Sequence, residues 1–357
     1  MAAMISKKKL TYPISDSLRK YLENHDRETR LPLNYSDLLR YDNSIPLYDN
    51  KGDDTLWETV FYPQEDMKEI YQSLKKIYSE LKAAGDIGVM QHLFIDRVDI
   101  CTYGNTQPFR VRIQNRINDN FDYFYIKNAD ASRIYGLELE HLLSPNRINY
   151  LVDGKTLVEE HIAGIPGDKF IKDHLKDNTL NEIRLAKEFV KFNERCFVRL
   201  LGDMHSSNFV IDVTPDFEEI HYRIRAIDFD QQSYEGRRSI YLPQYFKQNN
   251  PLIELGLRHM TPETVRQYQK EERSLIANRV KSAHLAIDEL LDAMASDHIS
   301  PTDNVISLGE DLARFYGDKR FKECRSMGDM LKLSLEQLLP SGAVTPPSFP
   351  PENPPDI

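Results

Sequence analysis

The spacing of apolar residues indicates a helix early in the chain. Between Gln64 and Ala84 they recur at helical intervals, and Gly85 follows as a stop signal. This stretch therefore predicts one amphipathic helix. The apolar positions on its buried face are Met67, Ile70, Tyr71, Leu74, Ile77, Tyr78 and Leu81.

After this helix the pattern becomes typical of β-strands. Residues 92–104, 109–117 and 121–129 are rich in β-branched and aromatic residues, and turn residues separate them. They predict three antiparallel strands in a meander. A helix over 132–143 follows, and then a hairpin with Asp153 and Gly154 at its turn.

Beyond the hairpin the pattern is mostly helical. A helix is predicted over 178–197, two short strands over 208–213 and 221–230, and amphipathic helices over 262–296 and 302–339. Strands thus come early, and helices with one small β-insert come later. This order predicts an α+β protein with two unequal lobes, a small antiparallel β N-lobe and a larger, mostly helical C-lobe.

The same patterns suggest boundaries along the chain. Residues 1–62 form an N-terminal extension whose fold the pattern leaves unclear. Residues 63–158 form the N-lobe with its preceding helix, and residues 159–339 form the helical C-lobe. Residues 340–357 are proline-rich and are expected to be a disordered tail, because they lack the apolar residues that a core needs.

Composition excludes several classes of function. The 357 residues carry a formal net charge of −10, which argues against nucleic acid or an anionic membrane as the main partner. The three cysteines, Cys101, Cys196 and Cys324, are too far apart to indicate a disulfide framework or a zinc motif. No apolar run is long enough for a membrane span or typical of a secretory signal, so we expect a cytoplasmic protein.

Candidate chemistry is concentrated in the segment "LGDMHSSNFV", residues 201–210. It places Asp203, His205 and Asn208 between apolar flanks that a solvated turn would not need. His205 is expected to brace the turn through backbone hydrogen bonds. Another acid, Asp228, ends the second of the two short strands.

Further polar residues precede this segment in the chain. Lys127 ends the third predicted strand, and Glu138 and Glu140 lie on the helix that follows, one of them expected to be solvated. Phosphoryl transfer needs a cation on the nucleotide phosphates, an acid that holds this cation, metal ligands, and a carboxylate beside the incoming hydroxyl. The cation can be Lys127, held by one of the helix glutamates. The metal ligands can be Asn208 and Asp228, and the carboxylate beside the hydroxyl can be Asp203.

In these segments the chain resembles the protein kinase-like superfamily, and within it the aminoglycoside phosphotransferase and choline kinase branch. "LGDMHSSNFVI" is similar to the catalytic loop H-G-D-x-H-x-x-N, "IDFD" to the metal-binding counterpart of D-F-G, and "FYIK" to V-A-I-K. "LSPNRINYL" resembles the H-P-N-I segment after the αC helix, and "LVEEHIAGIPGDKF" resembles the hinge. The resemblance covers roughly residues 88–240.

The resemblance implies a role for each matching residue. Asp203 matches the catalytic aspartate, Asn208 and Asp228 match the Mg²⁺ ligands, and Lys127 matches the lysine that binds the ATP phosphates. The acidic partner of Lys127 would be Glu138 or Glu140. The number of residues between Glu138 and "SPN" fits the family better, which favours Glu138. The hinge, where backbone groups would bind adenine, corresponds to Glu160, His161 and Ile162.

Some positions depart from the family pattern. Leu201 replaces the histidine before G-D, and D-F-G has become Asp228-Phe229-Asp230. The expected phosphate loop, "CTYGNTQPF", contains one glycine, Gly104, where kinases have G-x-G-x-x-G. No A-P-E motif follows Asp228, which favours a small-molecule acceptor over a protein.

Two functions of different classes follow from this set. The first is an ATP- and Mg²⁺-dependent kinase that moves the γ-phosphoryl group to a hydroxyl of a small molecule or a protein. The second is an inactive, pseudokinase-type module that binds nucleotide or another protein. The intact set Lys127, Asp203, Asn208 and Asp228 favours the enzyme, and nucleotidyl transfer to a protein stays open as a third possibility. Glu159 and Glu160 can equally be interpreted as ordinary strand-edge charges.

Overall fold

The computed structural model describes residues 9–49, 51–83, 85, 88, 91–104, 106–177, 179–216 and 220–338. The predicted disordered tail, 340–357, lies outside the described residues. The fold is α+β, as predicted, and it divides into two compact units. Of the described residues, the first unit comprises those up to residue 131 together with 148–161, and the second comprises 132–147 and those from 162 onward.

The first unit contains a seven-stranded antiparallel sheet with the order β1-β2-β3-β4-β5-β7-β6. The predicted meander is β3 to β5, and the predicted hairpin is β6 and β7, so both predictions are confirmed. The strands are β1 (Asn43–Tyr48), β2 (Asp54–Phe61), β3 (Leu93–Ile100), β4 (Phe109–Asn115), β5 (Phe121–Asn128), β6 (Tyr150–Asp153) and β7 (Thr156–Glu160).

The N-terminal residues, for which the sequence indicated no fold, belong to this unit. They form helix α1 (Asp16–Asn24), a 3-10 turn (Tyr35–Arg40) and the strands β1 and β2. Ser15 caps α1 by accepting a hydrogen bond from the Leu18 backbone. Strand β1 lies at one edge of the sheet, a position where a proline such as Pro46 is tolerated.

Helix α2 (Gln64–Ala83) matches the predicted helix within a residue. Ile70, Leu74 and Ile77 are completely buried in the core of the first unit, where they join strand residues such as Phe124. Met67 is 40% exposed, so its assignment to the buried face was wrong. Strand side chains alternate between two faces, and Lys127 therefore lies on the face opposite Phe124 and Ile126.

The second unit is mostly helical and contains one small antiparallel sheet of order β10-β9-β8. Its strands are β8 (Ile165–Pro166), β9 (Phe209–Pro215) and β10 (Ile220–Ala226). Its helices are α3 (Ala131–Leu143, the first residue at the unit boundary), α4 (Gly167–Asp173), α5 (Glu182–Val198), α6 (Asn250–His259), α7 (Pro262–Ser282), α8 (His284–Ala295), α9 (Thr302–Tyr316) and α10 (Met327–Glu336).

The predicted long helices near the C-terminus are each interrupted. The chain leaves helical geometry at Ala283, which separates α7 from α8. Gly317 ends α9 in the left-handed conformation, with φ of 69°, and Ser326 starts α10 with a capping box to Asp329. Apolar periodicity persists across these breaks, because each shorter helix still packs one face on the core. Among the described residues, no helix is long and apolar enough to cross a membrane.

Candidate functional site

The segment that carries the predicted catalytic residues connects α5 to β9. Leu200 and Asp203 both have a left-handed backbone, with φ of 53° and 60°, so the chain turns sharply twice. Leu201, Met204 and Phe209 are buried and anchor the segment in the core of the second unit. This anchoring explains why a polar loop has apolar flanks. We call residues 200–208 the catalytic loop, after the role that the sequence predicts for them.

A second segment, residues 227–233, runs beside the catalytic loop and is hydrogen-bonded to it. The Ile227 amide donates to the Asn208 carbonyl at 3.0 Å, and the Ser233 amide donates to the Leu200 carbonyl at 2.8 Å. The Asn208 side-chain amide donates to the Asp203 carbonyl at 2.8 Å. These bonds bring Asp203, Asn208 and Asp228 together, although they are spread over the sequence.

The Asp203 carboxyl lies in an environment that disfavours its charge. Its pKa is raised to about 7. Burial is the largest cause, and the nearby carboxylates of Asp228, Glu235 and Asp230 also contribute. Among the described residues, none donates a hydrogen bond to this carboxyl. A carboxyl with a pKa near neutrality can both hold and release a proton at physiological pH.

Arg133, on the first turn of α3, contacts the residues that follow β10. One of its guanidinium nitrogens, Nη1, donates to Asp228 Oδ1 at 2.8 Å and to Asp230 Oδ1 at 2.8 Å. The Asp230 amide also donates to Asp228 Oδ1, at 3.1 Å. We call Asp228 and Asp230 the acidic pair. Sequence reasoning missed Arg133, since nothing near it in the chain indicates two carboxylate partners so far away.

The donor set suits a hard divalent cation. Carboxylate and amide oxygens are the ligands that Mg²⁺ prefers, and Asn208, Asp228 and Asp230 supply these types. Oxygens of both members of the acidic pair already converge on one positive group, the Arg133 guanidinium, so they fit a cation. Within the described part of the chain, no group of three His, Cys, Asp or Glu side chains is arranged to hold a metal.

His205 contacts the loop in which it lies. The Ser207 amide donates to His205 Nδ1 at 3.4 Å, and the imidazole packs edge-on against Phe246 at 6.2 Å between ring centroids. Burial lowers the pKa of His205, against the opposing effect of Asp228 and Asp168. These contacts fit the interpretation of His205 as a brace of the turn.

Lys127 is buried in the first unit and has an acidic partner on a neighbouring strand. Its Nζ donates to Glu159 Oε2 at 2.8 Å. Lys127 is paired with Leu157 across β5 and β7, which places Glu159 two residues further along on the same face. The interpretation of Glu159 as a strand-edge charge was therefore wrong.

The two helix glutamates are both buried, so the expectation that one is solvated was also wrong. Glu140 forms an ion pair with Arg199 inside the second unit. Burial would raise the pKa of Glu140, but Arg199 and the Ser144 hydroxyl outweigh burial and lower it. This pairing gives Glu140 a structural role, and Glu138 stays the predicted partner of Lys127.

The predicted hinge residues have different environments. The Glu160 carboxylate accepts hydrogen bonds from Lys82 Nζ and from the Asn149 amide, each at 2.8 Å. His161 Nδ1 lies 3.1 Å from the Tyr125 hydroxyl, and burial lowers the pKa of His161. Ile162 is buried. The side chains of Glu160 and His161 thus have local partners, which agrees with a role for this segment that depends on backbone groups.

The predicted phosphate loop connects β3 to β4 and contains Gly104. The Gln107 amide donates to the Gly104 carbonyl at 3.1 Å, and the Cys101 amide donates to the Pro108 carbonyl at 3.0 Å. A Cβ atom at position 104 would lie 2.9 Å from Pro108 Cδ. The tight turn therefore favours glycine at position 104 for steric reasons, independently of any contact with phosphate.

Asn249 is a further residue that sequence reasoning missed. It is completely buried, and its Nδ2 donates to the Met204 carbonyl at 2.9 Å and to the Pro243 carbonyl at 2.7 Å. One amide group thus joins the catalytic loop to the segment before α6. It follows Lys247 and Gln248 in a polar stretch, so nothing in the sequence signalled that it would be buried.

We expect Asn249→Ala to lower the free energy of unfolding by about 1–3 kcal/mol, because two buried carbonyls lose their donor. Urea denaturation followed by circular dichroism measures this loss. The neighbouring Asn250 is exposed at the start of α6, so Asn250→Ala is a matched control expected to change stability by less than about 0.5 kcal/mol. Equal losses in both variants would contradict the bracing role of Asn249.

Comparison with known proteins leaves the chain without an assigned family. No protein-family model matches it, and no curated protein is significantly similar to it.

Proposed function

We propose that the protein is an ATP- and Mg²⁺-dependent phosphotransferase that uses a hydroxyl group as acceptor. The observation that carries this proposal is the environment of Asp203, a carboxyl with a pKa of about 7 in a loop hydrogen-bonded to the segment of Asp228. Structural turn or capping residues gain nothing from such a pKa, whereas a proton acceptor does.

In the proposed reaction, the acceptor hydroxyl oxygen forms a bond to the γ-phosphorus of ATP. The bond from that phosphorus to the β,γ-bridging oxygen breaks, and ADP leaves with the electron pair. The hydroxyl proton passes to the Asp203 carboxylate. Asn208 and Asp228 would hold Mg²⁺, which neutralises charge on the phosphates when bound.

The first unit contributes features that support the proposal. Lys127 ends the third strand of an antiparallel meander, and a helix with buried glutamates follows, as in the kinase resemblance. Glu159 accepts a hydrogen bond from Lys127 Nζ at 2.8 Å. In the proposed role, Lys127 Nζ contacts the ATP phosphates, and Glu138 remains its predicted helix partner.

The acceptor is proposed to be a small molecule. The loop type and the lack of an A-P-E motif after Asp228 support this choice. The proposal does not need a protein substrate platform, nucleic acid or a membrane as partner.

The decisive test is the thermal stability of the protein with ATP, in the presence and absence of Mg²⁺. A ligand at a hundredfold excess over its Kd adds about 2.7 kcal/mol to the free energy of unfolding. We expect a Mg²⁺-dependent shift of this size for the wild type and its loss in Asp228→Asn. No shift with any nucleotide would overturn the proposal.

The alternative is a pseudokinase-type binding module, and one observation favours it. The Arg133 guanidinium already offsets part of the charge of the acidic pair, which includes the proposed metal ligand Asp228. Such a module would bind nucleotide without needing Mg²⁺ and would transfer no phosphoryl group. Equal ATP shifts with Mg²⁺ and with a chelator, together with no ATP turnover, would select the module.

A further inference from the structure

Arg133 has an arrangement that a simple surface ion pair does not have. Its side chain is 3% exposed, and a single nitrogen bridges one oxygen from each member of the acidic pair. The Arg133 Nη2 atom also donates weakly to the Ile227 carbonyl, at 3.4 Å. The guanidinium is therefore held against the start of the segment that carries both acids.

The acidic pair concentrates negative charge around Arg133. Two carboxylates that share one bridging group repel each other when the positive charge between them is removed. The Asp203 and Glu235 carboxyls lie in the same region, because Asp228, Asp230 and Glu235 all act on Asp203 electrostatically and raise its pKa. A guanidinium and a divalent metal ion are both cations that carboxylate pairs bind in proteins.

We propose that Arg133 and a divalent cation are alternative counter-ions of the acidic pair, so that Arg133 sets how tightly the site binds metal. The inference rests on the proposed function only for the identity of the ion, Mg²⁺. Arg133 acts through Asp228 and Asp230 and is a positioning residue. While the guanidinium holds one oxygen of each acid, its charge weakens binding of an added cation.

The test uses the full chain without nucleotide. Arg133→Met removes the charge and keeps much of the side-chain volume. We expect this variant to melt several degrees below the wild type in chelator, and to recover most of that loss in millimolar Mg²⁺. The melting temperature of the wild type should change little with Mg²⁺.

A second readout is the binding of Mn²⁺, followed by electron paramagnetic resonance of the free ion. Removal of a unit positive charge a few ångströms away should strengthen Mn²⁺ binding by at least about tenfold. Arg133→Lys keeps the charge and should bind Mn²⁺ about as weakly as the wild type. This variant separates the effect of charge from the effect of an altered side-chain shape.

Two control variants show whether recovery is specific. Arg199 is also buried but pairs with one carboxylate, Glu140, so Arg199→Met should lose stability without recovery in Mg²⁺. Arg133→Met combined with Asp228→Asn and Asp230→Asn removes the repelling charges. It should be insensitive to Mg²⁺.

If Arg133→Met does not fold, Arg133→Met/Asp230→Asn reduces the repulsion and keeps Asp228. This double variant should bind Mn²⁺ more tightly than Asp230→Asn alone. Losses of stability that Mg²⁺ does not relieve, with Mn²⁺ affinity equal to that of the wild type, would overturn the inference. Recovery by Mg²⁺ with no ATP shift in any variant would instead uphold it and count against the proposed kinase activity.

Discussion

Asp203→Asn should lower phosphoryl transfer by about a hundred- to ten-thousand-fold, the usual contribution of a general base. The same substitution should make the protein more stable at neutral pH. Asparagine is well suited to this position because, like aspartate, it adopts the left-handed backbone that Asp203 has, with φ of 60°. The substitution therefore removes the ionisable group with little backbone strain.

The gain in stability follows from the raised pKa of Asp203. The pKa moves from 3.8 in the unfolded chain to about 7 in the folded protein, so the folded state keeps a proton that the unfolded state has lost. Stability therefore falls as pH rises from about 4 to about 7, and the deficit is constant above that range. At pH 8 the deficit is roughly 2–4 kcal/mol, after allowance for partial exposure of the carboxyl.

Urea denaturation of both proteins between pH 4 and pH 8 measures this effect. The difference between their free energies of unfolding isolates Asp203 from other titrating groups. Asp212→Asn makes the same chemical change on strand β9, outside the catalytic loop, and should leave transfer unchanged. Parallel stability curves for the wild type and Asp203→Asn would show that burial does not raise the pKa of Asp203.

Glu140→Ala should lower the free energy of unfolding by about 3–5 kcal/mol, because it leaves the buried Arg199 guanidinium without its carboxylate partner. Arg199 is 2% exposed and lies in the core of the second unit, where water cannot replace the lost partner. A loss of this size is a large part of the total stability of a typical domain. Thermal melting and urea denaturation both measure it.

An exposed ion pair provides the comparison. Glu182 pairs with Arg258 and His259 at the surface, so Glu182→Ala should cost no more than about 1 kcal/mol. Replacing both members of the buried pair, as in Glu140→Leu/Arg199→Met, should restore part of the loss, since no unpaired charge remains. A loss below about 1 kcal/mol for Glu140→Ala would mean that Glu140 is not the counter-ion of Arg199.

The local pattern of the chain was enough to predict most elements. The helix at Gln64–Ala83, the meander β3 to β5 and the hairpin β6–β7 all follow from periodicity and turn residues, which act over a few neighbouring positions. The strand β1 was not predicted, because it lies at the sheet edge with mostly exposed side chains and so lacks a clear alternation. The ends of the C-terminal helices depend on caps that periodicity does not reveal.

The spacing of Asp203, Asn208 and Asp228 in the sequence was enough to select them as the residues proposed to carry out the chemistry. Asn208 directly precedes β9, and Asp228 follows β10 by two residues, so both lie next to strand ends that local patterns indicate. The roles of these residues remain predictions for the experiments above.

Tertiary structure decided which charges meet. Arg133 and Asp228 are 95 positions apart, Glu140 and Arg199 are 59 apart, and Lys127 and Glu159 are 32 apart. Each pairing depends on strand register or on helix packing. Neither can be predicted from the residues that neighbour each charge in the sequence. By itself the sequence indicated most of the elements and the candidate chemical groups. The fold alone determined the counter-ion of each buried charge and the raised pKa of Asp203, because burial and distance to other charges exist only in the folded chain.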